Sequence, residues 1–318
     1  MGQYILRRLL LIVPTLLGIS ILVFLLMRFL PGDVVDLMIG PELIDTLTEE
    51  QRQTLYRMFG LDAPLHIQYL RWISGVLRGD LGVSLRSSQP VSGAIFQRFG
   101  VTAELALLSV LCSTVVAVPL GVLAAVRRNS FIDVAVNTLG LIGVSLPTFW
   151  LATLLLFVAS GFLQWRPALI WVSPFDDPLT NLQQMVLPVL SLSGSMIAVV
   201  MRMTRSSMLE VLGQDYIRTA YAKGLRERLV MGRHALKNSL IPVITVIGLQ
   251  IGGLLSGAVV IEQIFGLPGI GWMLLNAISQ RDYPLVQGVV LFIAFTFVTV
   301  NLLVDLLYAY VDPRIRYV

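Results

Sequence analysis

Hydrophobic residues in this chain gather into six long runs, separated by shorter stretches that carry most of the charge. Each run is long enough to cross a bilayer as a helix, which needs about 20 mainly apolar residues. The pattern therefore predicts an all-α integral membrane protein with six transmembrane helices. The predicted spans are residues 9–30, 102–126, 134–163, 186–204, 241–262 and 285–308.

The first run has a second interpretation, because Arg7 and Arg8 precede it as basic residues precede a secretory signal peptide. The apolar core of a signal peptide is only about 7–15 residues long and ends at small residues. The run here is longer and ends in Arg28-Phe-Leu-Pro-Gly-Asp. It is therefore predicted to be retained as a membrane anchor.

The longest stretch outside the runs, residues 31–100, is predicted to be an external insertion. Thr48-Glu-Glu-Gln51 has the pattern of a capping box, so a helix is expected from there toward Phe59, with Gly60 ending it. A second amphipathic helix is predicted over Leu65 to Leu77. This helix either lies on the membrane or receives a partner protein, or it only packs over the membrane domain.

Composition supports the membrane class and narrows the chemistry. Of the 318 residues, 56% are hydrophobic and 13% are charged, whereas about one quarter of the residues in soluble domains are charged. The single Cys112 and the two histidines, His66 and His234, are far apart, so neither a disulfide nor a metal centre is predicted. The net charge is +4, and the basic residues that produce it lie beside the spans. This distribution indicates membrane topology rather than nucleic-acid binding.

The basic residues also predict the orientation, because positive charge gathers in short cytoplasmic loops. With the amino terminus inside, Arg127-Arg128 and the loop 205–240 fall on the cytoplasmic side. The outer loops 164–185 and 263–284 then hold one arginine each. Both termini are therefore expected to be cytoplasmic.

The most basic segment lies between the fourth and fifth spans, from Asp215 to Pro242. Apolar residues recur there at helical spacing on both sides of Gly224, which predicts two short helices. A glycine at this junction adopts positive φ without a Cβ clash, which suits a tight turn. Pro242 then opens the fifth apolar run, and the chain is expected to re-enter the membrane there. The basic residues are Arg218, Lys223, Arg226, Arg228, Arg233 and Lys237.

This segment resembles the cytoplasmic coupling loop of binding-protein-dependent ABC importer permeases, in the dipeptide, oligopeptide and nickel branch. The similarity rests on Arg-Thr-Ala-x-Ala-Lys-Gly at 218–224 and Arg-His-Ala-Leu-x-Asn-x-Leu-Ile-Pro at 233–242. The general family form begins with Glu-Ala-Ala, and its glutamate is absent here, as is typical of the peptide branch. The alternative is an ordinary basic cytoplasmic loop. By the resemblance, the ATPase-coupling residues are Tyr216, Arg218, Thr219, Ala220, Ala222, Lys223, Gly224 and Leu225.

Two further stretches resemble the same family. One is Arg-Gly-Asp-Leu-Gly-Val-Ser at 78–84, and the other begins at Glu262 and includes Arg281-Asp-Tyr-Pro. Glycines and a proline between 266 and 271 predict an irregular outer loop there rather than a helix end. The carboxylates in this region have a structural alternative, as partners of a nearby arginine or backbone amide. The candidates for an external gate or for receptor docking are Glu262, Gly269 and Asp282.

The fifth span carries pairs of glycines four residues apart, a spacing that lets another helix approach closely. The same span contains the polar side chains of Gln250 and Ser256, which would ordinarily face protein or water rather than lipid. Packing within the chain and a pathway or subunit interface both fit this pattern, and the resemblance favours the translocation pathway. The predicted pathway or interface residues are Gly248, Gln250, Gly252, Gly253, Ser256 and Gly257.

Missing motifs exclude most catalytic functions. No G-x-x-x-x-G-K-[ST] is present to bind ATP phosphates, and no H-E-x-x-H is present to bind zinc. The chain is therefore expected to be a non-catalytic subunit that binds no metal or cofactor itself. The alternative function is an ion-coupled secondary transporter, which needs ionisable residues at the bilayer midplane and repeated halves. The sequence offers few such residues and no visible repeat.

The resemblance implies a permease subunit of an ATP-driven importer for peptides or a related small solute, such as a nickel chelate, haem or glutathione. Residues 1–318 would form one permease domain in a bacterial or archaeal plasma membrane. A second, different permease would complete the pathway in the lipid bilayer. Two ATPase subunits, which bind ATP and Mg²⁺, would clamp the coupling loops, and an external substrate-binding protein would deliver the solute.

Overall fold

The computed structural model describes residues 2–29, 48–58, 62–165 and 170–311, and within these ranges the regular structure is helical. Some of the predictions concern residues outside this description, namely residues 31–47, Gly60 and the carboxyl terminus beyond 311. In chain order the helices are α1 (Gly2–Phe29), α2 (Glu49–Met58), α3 (Leu65–Leu77), α4 (Val91–Val126), α5 (Phe131–Ser145), α6 (Thr148–Phe157), α7 (Pro178–Leu212), α8 (Asp215–Ala222), α9 (Glu227–Leu229), α10 (Lys237–Phe265), α11 (Ile270–Ser279) and α12 (Tyr283–Val311).

Five helices of the described chain are long and apolar enough to span a bilayer. They correspond to the predicted first, second, fourth, fifth and sixth spans. The third, 134–163, is instead the pair α5 and α6, bent by 106°. The break lies at Leu146, whose backbone is extended because the following Pro147 disfavours the helical conformation before it. Counting the bent pair as one span gives the six predicted crossings.

The fifth span begins earlier than predicted. The helix is continuous from Glu227 to Phe265, and it includes a π-helical segment, Val230–Leu236, that joins α9 to α10. Pro242 therefore lies inside the helix and does not open it. Membrane helices tolerate an internal proline when neighbouring groups satisfy the freed carbonyl. The second short helix predicted after Gly224 is thus the first part of a membrane-spanning helix.

The predicted insertion contains two helices, and local rules explain their starts. The Gln51 N–H donates to Thr48 Oγ1 at 3.3 Å, and the Thr48 N–H donates to Gln51 Oε1 at 2.9 Å, so the predicted capping box is confirmed. Helix α2 ends at Met58, and α3 covers the predicted Leu65–Leu77. The helix of the second span begins at Val91, inside the predicted insertion.

The chain divides into two compact units, each with its own hydrophobic core. The first unit contains residues 101–268 and the end of α12. Helix α7 lies at its centre, packing against α5, α6 and α10, and it has the largest buried share of any candidate span. Met185 and Met196 of α7 are fully buried there. The second unit contains residues 2–100 and 269–298, and its core includes Val91, Ile95 and Val289.

Candidate functional site

The predicted coupling loop forms a short helix, α8, that is buried along one stripe and exposed elsewhere. Ile217 and Ala220 are 1% and 7% exposed. Tyr216 and Tyr221 flank this stripe and are 43% and 44% exposed. The remaining predicted coupling residues on or just after the helix are also exposed: Arg218, Thr219, Ala222, Lys223 and Gly224.

A small apolar cluster anchors α8 to the ends of the membrane helices. Ile217 and Ala220 pack there with Ala125 of α4, Met208 of α7 and Val230 of the π-helical segment. The predicted coupling residue Leu225 is half-buried against the same cluster. Ala220 and Leu225, both predicted to be ATPase-coupling residues, therefore pack mainly against this chain's own core. The exposed apolar surface of α8 is instead provided by Tyr216 and Tyr221. Tyr216 was among the predicted coupling residues, whereas Tyr221 was missed.

Hydrogen bonds connect α8 to the start of α10. Asn238 Nδ2 donates to the Tyr216 hydroxyl oxygen at 3.1 Å and to the His234 carbonyl at 2.9 Å. The neighbouring Ser239 hydroxyl donates to Met208 Sδ on α7 at 3.0 Å. These bonds connect α8 to α10 and α10 to α7.

The turn after α8 depends on the backbone conformation of Gly224. Its φ is +75°, which confirms the predicted positive φ. The Gly224 N–H donates to the Tyr221 carbonyl at 2.9 Å, and the Leu225 N–H donates to the Ala220 carbonyl at 3.3 Å. A Cβ added at Gly224 would meet no atom within 4 Å. The glycine is thus required for its φ value and not for space.

The six basic residues of the segment all project from the surface. Arg218 is 3.5 Å from Asp215, and their side chains are 78% and 95% exposed. An ion pair this exposed contributes little to stability, because solvent screens it and both side chains lose freedom. The charge on Arg218 therefore remains accessible to another protein.

The predicted pathway residues of α10 lie on two different faces. Gly248 and Gly252 are buried, and a Cβ on Gly257 would come within 2.9 Å of Leu192 Cδ1 on α7. This face therefore packs within the chain. Gln250 is half-buried. The exposed face instead carries Gly253, whose added Cβ would meet nothing within 4 Å, and it includes Leu249, Ser256 and Val260.

Glu262, a candidate for the gate or for docking, is fully buried. The Thr102 hydroxyl donates a hydrogen bond to Glu262 Oε1, which joins α4 to α10. A carboxylate at 0% exposure cannot contact a receptor, so the docking prediction is wrong for Glu262. This hydrogen bond is a structural contact, and its donor is a hydroxyl group rather than the arginine or backbone amide considered from the sequence.

The residues after Glu262 form a helix end, which the sequence prediction excluded. Gly266 has φ +64° and caps α10, and the Leu267 N–H donates to the Glu262 carbonyl at 2.9 Å. Gly269, the second gate candidate, is buried just before α11, and its carbonyl accepts from the Met273 N–H at 3.1 Å. The prediction of external docking is therefore wrong for Gly269 as well.

Asp282 is also buried, at 1% exposure, and it holds two loops of the second unit together. Its carboxylate accepts hydrogen bonds from the Ser84 hydroxyl, from the Leu85 N–H at 3.2 Å and from the Leu285 N–H at 3.3 Å. Two of the family-like stretches thus meet at this carboxylate. The prediction that Asp282 docks a receptor is wrong, because its oxygens are enclosed by these donors.

One ion pair was not predicted from the sequence. Arg205 Nε and Nη2 donate to the two Asp133 oxygens at 2.6 and 2.8 Å, joining α7 to α5. Asn137 Nδ2 and the Asn129 N–H complete the shell around the carboxylate. Ser130 caps α5 three residues before Asp133, and this capping pattern is the local signal that could have located the aspartate.

Comparison with known families decides between the remaining functional classes. Residues 117–317 match the binding-protein-dependent transport system inner membrane component, and residues 1–106 match the N-terminal region of such membrane components. The chain belongs to this family. It is therefore a multi-pass permease subunit of an ABC importer in the inner membrane, and the ion-coupled secondary transporter has no support.

Individual relatives of this permease cover its full length. It is 45% identical over 340 residues to the dipeptide transport system permease protein DppB of Escherichia coli (strain K12), covering 100% of this chain and 99% of the relative. It is also 45% identical over 317 residues to a Brucella abortus (strain 2308) protein assigned as a peptide transport system permease, covering 100% of both chains. The resemblance to the peptide branch is therefore confirmed.

Proposed function

We propose that this permease forms, together with a second and different permease, the translocation pathway of an ATP-driven importer of peptides or a related small solute. The substrate class follows from the names of its full-length relatives, which are dipeptide and peptide permeases. The observation that carries the mechanism is the geometry of α8, whose exposed basic surface lies beside a buried anchoring stripe.

In this mechanism two partner ATPase subunits bind ATP and Mg²⁺, and this chain binds neither. A groove on one ATPase receives α8, with Tyr216 and Tyr221 in its apolar part and Arg218 and Lys223 beside acidic groups. Because Ile217 packs against the ends of three helical segments, closure of the ATPases moves those helices together. The pathway then alternates between inward- and outward-facing states.

The orientation in this proposal places both termini and residues 205–240 in the cytoplasm, and the loops around Ser84 and Asp282 outside. The external substrate-binding protein delivers solute on that outer side. The exposed face of α10 at Gly253 and Ser256 faces the second permease or the pathway. Small side chains on this face support the assignment, because they permit close helix approach within the membrane.

Uptake by the reconstituted importer tests the function. Proteoliposomes would contain this permease, its partner permease and the ATPases, with a loaded binding protein outside. The proposal predicts that a labelled dipeptide enters only when ATP is present inside and the binding protein is present outside. Uptake driven by a proton or sodium gradient without ATP would contradict it.

Labelling of single cysteines tests the orientation. Cys112 is first replaced by alanine, and one cysteine is then introduced at Ser88 or at Ala222, both of which are exposed. Ser239 in the same loop is unsuitable, because it is fully buried and would not react on either side. An impermeant thiol reagent applied to intact cells should label position 88 only. Labelling of position 222 alone would reverse the proposed orientation.

A further inference from the structure

The second unit contains an apolar groove of about 540 Å³ between α1, α3 and α12. Its walls include Leu16 of α1, Ile73 and Leu77 of α3, and Phe295 of α12. Among the described residues of the lining only Ser20 is polar, and its hydroxyl is hydrogen-bonded to the Tyr69 hydroxyl, 2.8 Å away. The groove therefore offers a purely apolar surface to any occupant.

A smaller, basic pocket of about 270 Å³ lies in the same unit. Arg28, Arg71, Trp72 and Gln68 line it, and its described lining includes no acidic side chain. Arg28 Nε and Trp72 Nε1 are buried there without a hydrogen-bond partner among the described residues. Buried donors without an acceptor destabilise a structure, so these two groups call for an acceptor, and the positive charge of the two arginines favours an anionic one.

The guanidinium of Arg28 is also fixed in position. It lies over the ring of Phe24, 5.3 Å from the ring centroid, and Phe24 stacks on Trp72 with ring centroids 5.9 Å apart. The two donors are therefore held by aromatic contacts and are not free to turn toward solvent. Arg28 therefore presents a fixed guanidinium, a group that pairs well with carboxylates and phosphates.

The groove and the basic pocket adjoin each other. Leu81 lines both of them, and the same three helices contribute to both. Along α1, Ser20 in the groove precedes Arg28 in the pocket by eight residues, which is about 12 Å of helix. Along α12, Leu291 in the groove follows Gln287 in the pocket by four residues, or about 6 Å. These spacings match the distance from a lipid phosphate to its acyl chains.

We propose that the groove and the basic pocket form one binding site for an anionic phospholipid. The phosphate accepts hydrogen bonds from Arg28, Arg71 and the Trp72 indole, and an acyl chain occupies the groove beside Leu16. A zwitterionic lipid fits less well, because its ammonium group would meet two arginines and no carboxylate. Free phosphate would leave the apolar groove unused. Bound lipid would link α1, α3 and α12.

Native mass spectrometry of the intact, detergent-purified importer tests the proposal. The complex is incubated with equal amounts of dioleoyl phosphatidylglycerol and dioleoyl phosphatidylethanolamine, which share the same acyl chains. The wild type should retain phosphatidylglycerol preferentially. Arg28→Gln combined with Arg71→Gln should lower that retention about tenfold, since charge-assisted hydrogen bonds to the phosphate are lost. The matched control Arg78→Gln, an exposed arginine outside both cavities, should retain lipid like the wild type.

Two further arms separate a lipid site from a simple anion site. Leu16→Trp fills the groove while leaving both arginines in place, and it should also lower phosphatidylglycerol retention. Glycerol phosphate, which lacks acyl chains, should not displace the lipid. Assembly with the partner subunits shows that each variant is folded, and Arg28→Lys, which keeps the charge, should retain part of the binding. Equal retention of both lipids, wild-type retention by the double variant, or displacement by glycerol phosphate would overturn the proposal.

Discussion

The two ends of the helix from Glu227 to Phe265 look alike in sequence but differ in structure. Each end adjoins a glycine with positive φ, Gly224 at +75° and Gly266 at +64°, and each carries charged residues of a family-like stretch. At the Glu227 end the basic residues are exposed, and α8 is anchored through its apolar stripe. At the Phe265 end the carboxylate of Glu262 is fully buried and hydrogen-bonded within the chain.

This contrast shows that a charged residue in a family-like motif either contacts a partner or stabilises the chain itself. Whether the side chain is exposed or buried distinguishes the two roles. An exposed charge such as Arg218 adds little to the fold and is available to a partner. A buried charge such as Glu262 must be satisfied inside the chain, where its removal leaves a donor without an acceptor. The predictions below test whether stability and coupling separate in this way.

A large loss of stability is expected for Glu262→Ala. The change removes the acceptor of the Thr102 hydroxyl and opens a cavity, so it should cost about 1–3 kcal/mol of folding free energy. Thermal unfolding of the purified complex measures this, and Asp215→Ala at the exposed end is the matched control. An unchanged unfolding temperature together with lost affinity for the binding protein would restore a docking role for Glu262.

Two glycines of α10 should respond differently to leucine. Gly257→Leu forces a side chain against Leu192 and should destabilise the chain by about 1–3 kcal/mol. Gly253→Leu enters open space, so it should leave stability unchanged while impairing transport or assembly with the second permease. Thermal unfolding and co-purification distinguish the two outcomes. If Gly253→Leu assembles and transports normally, its face of α10 contacts neither the partner nor the pathway.

Gly224→Val should have a smaller effect on stability and a large effect on coupling. The positive φ disfavours any side chain there by about 1–2 kcal/mol, although space is available. Reconstituted complexes should therefore lose the stimulation of ATP hydrolysis by loaded binding protein. The control is Gly232→Ala, because an added Cβ there also meets open space and no positive φ is involved. Normal stimulation in Gly224→Val would contradict the coupling role.

The smallest effect on stability is expected for neutralising the exposed charges of the coupling segment. Arg218→Gln combined with Lys223→Gln removes no buried contact, so the unfolding temperature should not change. Binding of the ATPase subunits should weaken, and its salt dependence should decrease, because exposed charges act through screened electrostatics. Co-purification at two salt concentrations measures this. Unaltered binding at both would mean that these charges do not contact the ATPase.

The sequence predicted the features that follow from local rules. Apolar run length located the spans, the Thr48–Gln51 spacing located a helix start, and the turn at Gly224 followed from glycine's freedom at positive φ. The bend at Pro147 was also accessible, since a proline restricts the residue before it. It was missed because no charged residue interrupts the run at the bend.

The remaining features depend on contacts between residues far apart in sequence. Glu262 bonds to Thr102, 160 positions away, and Asp282 bonds to Ser84, 198 positions away. No periodicity within one helix indicates which carboxylate will meet which hydroxyl. The same limit applied to α10. Its glycine spacing predicted that another helix approaches closely, but it did not indicate that this helix is α7 of the same chain. Which of these residues are buried can be seen only in the folded structure.

Photo-crosslinking in the assembled importer tests whether α8 presents its exposed surface to an ATPase. A benzoylphenylalanine at Tyr221 reports on the exposed flank of α8, and one at Leu249 reports on the exposed face of α10 within the membrane. The coupling role predicts that position 221 crosslinks to the ATPase subunit and that position 249 does not. Crosslinking from 249 but not from 221, or from neither position, would contradict it.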